Sequence, residues 1–591
     1  MNSTTIPATI GNMAGRLPYN HLVFKGEDPR ANLVSMCFQV LVVLLDFQSG
    51  SARDIIVGTG DQQSSTPSAR TNAFRYFLMK LHRTPDFAFV LDGVIGIMEQ
   101  EIASTNNILP GARKSMPYVT ENIIFLWKMI ELNKKFRAYV LDSERAMDLI
   151  AYLLCYNLEV KDKPQQHGLC RALSYIMQTL SAEPTFGAKL SSPIKANIPT
   201  KWTVPGSAAD FLICSVYSIV ATTSGALNSL YPALIIALSN CAPYFKNLGV
   251  TSSTRLVQLF TSFSNPSFLL SDEGHPRLLF FMLEVFNGVI LHNLAENPHL
   301  IYGIISSHKT FENLGTFTLS RGLREIKRIQ AAKEEQARKN PDDKQSKQRP
   351  SSEEAHEEKK RLLAHEVDLE ANLEGAGAGE SGQHRRGLSD PEVQPAVPPT
   401  PTSETMPAAP SERARGKMKE RRSSSLDADG NLDRVAAAGI GRNGFVPTQE
   451  WVTSWQQGLP LDTVMLLISE LLPKIEEMQA GRHKTNSVAT IHDFLSSVTL
   501  KDVLPPAPPL VPRKFVWSDA SIVWLTSLIW GEIFVRGMTP LGIWNSTNIR
   551  LFYVKQRRDN GQRQISETVS NVVGGFLGRT TSTDGTQRSR S

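Results

Sequence analysis

The sequence predicts an all-α protein, an irregular α-solenoid or helical array interrupted by a long disordered insert. Three observations predict this. Apolar residues recur at helical spacing through one segment after another. Strand signals are poor throughout, and Asp92-Gly93 and Asn287-Gly288 fall inside helical patterns instead of between alternating runs. From Thr318 to Gly444 there is no Phe, Tyr, Trp or Cys, where average composition would place about ten aromatics. No fixed repeat period is visible, so the array is read as irregular.

The elements follow in order. Asn32–Leu45 is strongly apolar, and Ala73–Arg83 and Phe87–Ile102 come next. Glu121–Leu141 carries Ile123, Trp127, Ile130 and Val140 near a 3.6-residue period. Asp142-Ser143 reads as the cap of a helix starting at Glu144. Leu169–Leu180, Phe211–Ala221, Leu227–Leu238, Ser253–Phe263 and Arg277–His292 complete the first body. Leu319–Arg338 reads as a charged helix continuing from it.

Domain organisation follows from composition. Residues 1–338 are expected to form a helical body and 339–446 a disordered low-complexity linker, Pro-, Ser-, Ala- and Gly-rich in its middle. Residues 447–557 are expected to be a Trp-rich helical part docking on the body, and 558–591 a frayed tail. The C-terminal part holds Trp451, Trp455, Trp517, Trp524, Trp530 and Trp544, six of the eight tryptophans. Leu461, Val464, Ile468, Leu471, Ile475 and Met478 step by three and four, but Pro473 is expected to break the run. A helix over Asp493–Leu504, a rigid Pro505–Pro509 spacer and an apolar helix over Asp519–Val535 follow. Asn548–Val554 reads as a short strand or extended arm.

The composition also excludes function classes. Of 591 residues 41% are hydrophobic and 20% charged, which fits neither a wholly disordered chain nor a polytopic membrane protein. A formal charge of +6 over this length is too small to imply nucleic-acid binding. The five cysteines, Cys37, Cys155, Cys170, Cys214 and Cys241, sit singly in apolar patterns. They read as core thiols of a reducing compartment. No signal peptide is visible, and Asn2 stands where myristoylation needs glycine. Phe211–Phe245 carries no Asp, Glu, Lys or Arg, but its polar interruptions leave pieces too short to span a membrane. Two buried helices are expected there, with a membrane hairpin over 211–238 as the alternative.

Catalytic signatures are scarce. Two G-x-G-x-x-G runs, Gly377–Gly382 and Gly439–Gly444, lack the strand and helix that would aim the glycines at a pyrophosphate. His356-Glu357 and His365-Glu366 lack the i, i+4 histidine pair of a zinc helix. His21 reads as a structural histidine, and Lys134, Lys135 and Arg137 as a solvated helix face, with phosphate headgroups as the alternative contact. No catalytic, cofactor-binding or metal-binding residue is expected. The linker instead carries candidate phosphorylation sites. Arg421-Arg422 precede Ser424 at the spacing an acidic kinase groove reads, and Ser389 and Thr400 are weaker candidates.

Several passages together resemble one family. They are Leu17-Pro-Tyr-Asn-His-Leu-Val-Phe24, Phe125-Leu-Trp-Lys128 with Asn133-Lys-Lys-Phe136, and Phe281-Met-Leu-Glu-Val-Phe-Asn287. After the linker come Glu450-Trp-Val-Thr-Ser-Trp455 with Leu459-Pro-Leu461, Trp530-Gly-Glu-Ile-Phe534, and Ile543-Trp544 before Leu551-Phe552. In this order they resemble the high-temperature-induced dauer formation protein family, a distant relative of dymeclin. The resemblance implies a non-enzymatic protein, peripheral to Golgi and trans-Golgi membranes with a cytosolic pool. It implies a role in secretory sorting or protein anchoring and partners among the Golgi sorting machinery. No small-molecule substrate, cofactor or nucleic acid is implied. Family members usually begin with a longer helical region, so this sequence is expected to lack an N-terminal portion.

Overall fold

The computed structural model describes residues 29–47, 72–106, 116–223, 225–339, 441–442, 444–480, 487–538 and 544–550. Among these residues every regular element is helical. The α-helices range from 4 to 23 residues, the irregularity expected of this array. The expected linker falls almost wholly outside the described residues. Contacts divide the chain into two compact units. One holds residues up to Asn265, Gly274–Thr316 and the chain from Gln456 onward; the other holds Pro266–Glu273 and Phe317–Trp455.

The larger unit begins with α1 (Pro29–Asp46), α2 (Ala73–Lys80), α3 (Thr84–Asn106), α4 (Val119–Leu132) and α5 (Lys134–Asp142). It continues with α6 (Ala146–Val160), α7 (His167–Ser181), α8 (Pro184–Ala188), α9 (Ala208–Thr222), α10 (Tyr231–Cys241) and α11 (Val250–Phe263). Packing links each helix to others close in sequence: α3 on α6, α6 on α7 and α9, α7 on α10, and α9 on α11. Helix α6, AMDLIAYLLCYNLEV, is apolar nearly all round and correspondingly buried nearly all round.

The predicted helix over Glu121–Leu141 is two helices. Asn133 is the reason. Its Oδ1 accepts from the Phe136 amide at 2.9 Å, capping α5. Its Nδ2 donates to the Leu78 and Leu81 carbonyls, both at 2.9 Å, which fixes the end of α2. A side chain that bonds the backbone this way competes with helix continuation. The expected cap at Asp142-Ser143 also fails. Ser143 Oγ donates back to the Val140 carbonyl at 2.8 Å, and α6 starts at Ala146.

Ser207 caps α9 through a reciprocal box with Asp210. The Asp210 carboxylate also accepts from the Gly249 amide at 2.9 Å and from Ser252 Oγ, tying the starts of α9 and α11 together. With 15 and 11 residues, α9 and α10 are the two buried helices expected within 211–245. Among the described residues no helix is long and apolar enough to cross a membrane. Neither helix of the alternative hairpin over 211–238 is by itself long enough to be a membrane span.

The second half of this unit holds α13 (His275–Asn293), α14 (Pro298–Ser306), α15 (His308–Gly315), α18 (Asp462–Ala480), α19 (Ser487–Ser497) and α20 (Asp519–Gly537). In α13, a Cβ on Gly288 would stand 2.9 Å from Ala242 Cβ, so this Asn-Gly pair serves helix packing and not a turn. Pro473 was expected to break its run, yet α18 continues through it. The missing bond costs about 3 kcal/mol. Val464, Leu467, Ile468, Leu471 and Ile475 are buried on both sides of it, at about 1.5–3 kcal/mol each, and outweigh that cost. The helix expected over Asp493–Leu504 lies instead over Ser487–Ser497. The Ser496 and Ser497 hydroxyls turn back onto the His492 and Phe494 carbonyls at its end. Residues 548–550 have no regular structure, and the rest of the expected strand or arm lies outside the described residues.

The smaller unit packs α12 (Pro266–Leu269) on α16 (Leu319–Lys339). A Cβ on Gly322 of α16 would meet Phe317 at 2.8 Å and Leu270 at 2.9 Å. Leu323 and Ile326 give α16 a buried side, and its other face is charged as expected. Gln449, at the start of α17 (Gln449–Gln456), accepts from the Leu319 amide at 2.8 Å through Oε1. Phe317 stands 5.6 Å from Trp455, and Trp451 lies 4.9 Å from Phe445, so both tryptophans of Glu450–Trp455 pack inside this unit.

Candidate interaction surface

Residues 505–518 cannot continue α19. Five prolines between 505 and 512 remove amide donors and hold their neighbours extended. The strap is anchored at Arg513. Its amide donates to Asn240 Oδ1 at 2.8 Å, and Asn240 Nδ2 donates to the Arg513 carbonyl at 3.1 Å. The guanidinium forks onto Glu284, with Nη2 to Oε1 at 2.6 Å, and lies 5.2 Å over Phe281. Lys514 and Arg137 share Glu183 at 3.3 and 3.1 Å.

Past this anchor the strap enters an aromatic seam. Trp517 stacks on Trp127 at 4.9 Å, and Phe515 stacks on Tyr175 at 4.1 Å. Trp524 of α20 stands 6.0 Å from Trp127. Aromatic pairs of this kind contribute about 0.5–1.5 kcal/mol each beyond their buried area.

A buried charge cluster lies beneath the seam, where Asp46, Arg75, Lys128 and Glu131 line a small cavity with Trp517. Arg75 donates to the Leu45 and Asp46 carbonyls at the end of α1. Lys128 Nζ stands 3.8 Å from Asp46 and 5.2 Å over the Trp517 ring. Burial pushes Lys128 below the usual lysine range, against the pull of Glu131 and Asp46. Burial pushes Glu131 above the carboxylate range, against Lys128 and a hydrogen bond from Trp517. Thr526 of α20 donates to Asp46 at 2.7 Å. At the other end of α20, Arg536 holds the buried Glu121 at 3.1 Å and donates to Ser35 at 2.7 Å. Gln39 donates to the same carboxylate at 3.1 Å. These charges are engaged in fastening α20 to α1 and α4.

Outward, the same helices present apolar side chains. On α1, Leu33, Met36 and Val40 recur at helical spacing and are about 60% exposed. On α2, Phe74 and Phe77 are 47% and 67% exposed, and Phe89 at the start of α3 is 81% exposed. On α20, Val523 and Trp530, seven residues apart, share an exposed side, and Val535 is exposed near the end of the helix. Isolated exposed apolar residues are ordinary, but adjoining stripes mark interaction sites.

The residues singled out from the sequence fall as follows. Ser389, Thr400, Ser424, His21, His356 and His365 lie outside the described residues. Of the second glycine run only Gly441 and Gly444 among its glycines are described, and a Cβ on Gly441 would collide with the Phe445 carbonyl. Lys134 and Lys135 are exposed as expected, whereas Arg137 is partly buried against Glu183. Cys155, Cys170, Cys214 and Cys241 are core thiols, but Cys37 is exposed, a correction to the reading of all five as buried. It lies on the apolar stripe of α1, whose outer face periodicity alone cannot tell from an inner one. Among the described residues no group of three or more His, Cys, Asp or Glu is placed to hold a metal ion.

Two of the passages that carried the resemblance meet in space within the larger unit. Asn287 donates to the Pro460 carbonyl at 2.8 Å, joining Phe281–Asn287 to Leu459–Leu461. Trp127 and Lys128 receive Trp517, and Glu532 of the Trp530–Phe534 passage pairs with Arg536 at 2.9 Å. The sequence reading missed the partners Asn240, Glu284 and Arg513. Only the proline run signalled that something extended needs fastening there.

The described residues define an all-α class of protein, a helical array with a strapped C-terminal segment and outward apolar stripes. Within it, the chain belongs to the high-temperature-induced dauer-formation protein family, whose family model matches residues 2–554. It is 29% identical over 553 residues to human protein HID1, covering 91% of this chain and 66% of that protein. The Dictyostelium discoideum protein HID1 is 24% identical over 593 residues, covering 93% of this chain and 63% of the relative. A Schizosaccharomyces pombe relative, named Ubp5-interacting protein ftp105, is 26% identical over 493 residues, covering 79% of this chain and 52% of its own length. The chain therefore spans about two thirds or less of these relatives. No solved structure matches it.

Proposed function

We propose that this protein is a non-enzymatic helical scaffold, peripherally associated with the cytoplasmic face of Golgi and trans-Golgi membranes and with a cytosolic pool. It acts in secretory vesicle sorting or protein anchoring. The observation that carries the reading is the family match over residues 2–554. Two features support it. Relatives are named as HID1 proteins and not by a reaction, and one is named for a protein it interacts with. Among the described residues no helix is long and apolar enough to cross a membrane, while apolar side chains face outward on α1, α2 and α20. Its partners are proteins of the Golgi sorting machinery and the membrane surface. Ser424, with Ser389 and Thr400, is proposed as a phosphorylation site that changes the charge of the linker. Tagged full-length protein should fractionate with Golgi membranes and leave them at alkaline pH. A wholly cytosolic protein, or one that stays in the alkaline pellet, would refute the reading.

A further inference from the structure

Helices α1 and α2 adjoin, and both carry exposed apolar side chains. Asn72, the cap of α2, donates to the Leu44 and Phe47 carbonyls, both at 2.8 Å, so the start of α2 is fixed to the end of α1. Phe47, 63% exposed, thus continues the Leu33–Met36–Val40 stripe toward Phe74 and Phe77. Between residues 31 and 45 there is no charged residue at all. Among the described residues the next outward cation is Lys80 at the end of α2, 5.4 Å over the Tyr76 ring. Because Asn133 bonds the Leu78 and Leu81 carbonyls, the exposed Lys134 and Lys135 begin α5 directly beside that end. Residues 30–45 and 72–85 contain no acidic residue.

A charge-free apolar centre with a lysine fringe is the pattern of surfaces that sink into the headgroup boundary of an anionic bilayer. Half-exposed aromatics such as Tyr76 and Phe77 suit that depth. A second copy presenting the same face is a poorer occupant, because among the described residues of α1 and α2 it would set lysines against lysines with no exposed acidic side chain in return. We propose that the outer face of α1 and α2, fringed by Lys80, Lys134 and Lys135, is the surface by which this protein docks on anionic lipid membranes. The proposal rests on the peripheral-membrane reading above and assigns it a place on the molecule.

The test is flotation of the full chain with vesicles of phosphatidylcholine alone and of equimolar phosphatidylcholine and phosphatidylserine. The anionic vesicles should carry the protein and the neutral ones much less. Replacing Leu33, Phe74 and Phe77 together by Ser should lower partitioning roughly a hundredfold. Each of Lys80→Gln, Lys134→Gln and Lys135→Gln should lower it about fivefold. Val250→Ser, at a 58% exposed apolar residue of α11, should leave it unchanged. These side chains are exposed, and unchanged thermal unfolding of each variant checks that the fold is intact. A fluorophore on Cys37, the exposed thiol, should shift to the blue on anionic vesicles. Full binding by the triple Ser variant would overturn the assignment of the surface while leaving membrane association standing. Vesicle-free protein that still fractionates with Golgi membranes would overturn it too, in favour of a protein receptor on the membrane. Dimers that the triple variant turns into monomers would assign the face to a second copy and equally overturn it. A chain that joins neither vesicles nor cellular membranes would bring down both readings.

Discussion

Replacing Trp517 by Ala should release the C-terminal segment from the body. Trp517 is 7% exposed, stacks on Trp127 at 4.9 Å, meets Phe515 edge-on at 5.1 Å and lies under Lys128 at 5.2 Å. Truncating a buried Trp to Ala costs about 3–5 kcal/mol. Here the indole also donates to the half-buried Glu131, so its loss leaves that acid without the donor. A loss of about 4 kcal/mol corresponds to roughly a thousandfold more frequent opening, at 1.4 kcal/mol per factor of ten. Hydrogen exchange of the amides of α20 reads local opening without requiring two-state unfolding of the chain. Those amides should exchange roughly a thousandfold faster in Trp517→Ala, while α10 and α13 stay protected. Trp517→Phe keeps most of the stack and should cost about 1–3 kcal/mol, chiefly the Glu131 bond. A double-mutant cycle with Trp127 should return a coupling of about 0.5–1.5 kcal/mol. Less than a fivefold change in α20 exchange for Trp517→Ala would refute the view that the seam holds the segment.

Arg536→Met strands the buried Glu121 and should cost about 3 kcal/mol, and adding Glu121→Gln should recover most of that loss in thermal unfolding. His299 of α14 and His492 of α19 meet edge-on at 4.2 Å, with Tyr302 and Asp493 beside them. Burial holds both rings below the ordinary 6.5, so the unfolded chain takes up their protons first as the pH falls. Their contribution is present above pH 6.5 and is lost as pH drops through the depressed folded values, and His492→Gln should flatten that dependence of the melting temperature. Under native conditions a thiol reagent should titrate Cys37 and not the four buried cysteines, three of which burial pushes up to about 12, whereas denaturant should release all five.

Helix existence was legible wherever an apolar stripe was long. Phe281, Val285 and Val289 read as one buried side of α13, and they are buried. Boundaries were less legible, because they were decided by single side chains reaching other parts of the chain. Asn133 ends α4 by bonding α2, some 50 residues upstream, and no local window contains both partners. Short helices such as α14 and α15 escaped the period test, although Asn297-Pro298 carries a recognisable start signal. The seam was half legible. The tryptophan-rich composition after the linker pointed to docking, but nothing local identified Trp127 and Tyr175 as the receiving surface or Asn240 and Glu284 as the anchor. The exposed stripes were legible as apolar and illegible as outward, since an amphipathic pattern gives a face and not its partner.

Residues 505–538 are built into the helical body through Arg513, Trp517 and Arg536. Co-expression of residues 1–443 and 444–591 as separate chains tests it most directly. The two pieces should co-purify in equal amounts through size-exclusion chromatography, and Trp517→Ala with Arg513→Ala should separate them. Independent elution of two soluble, folded wild-type pieces would contradict the claim.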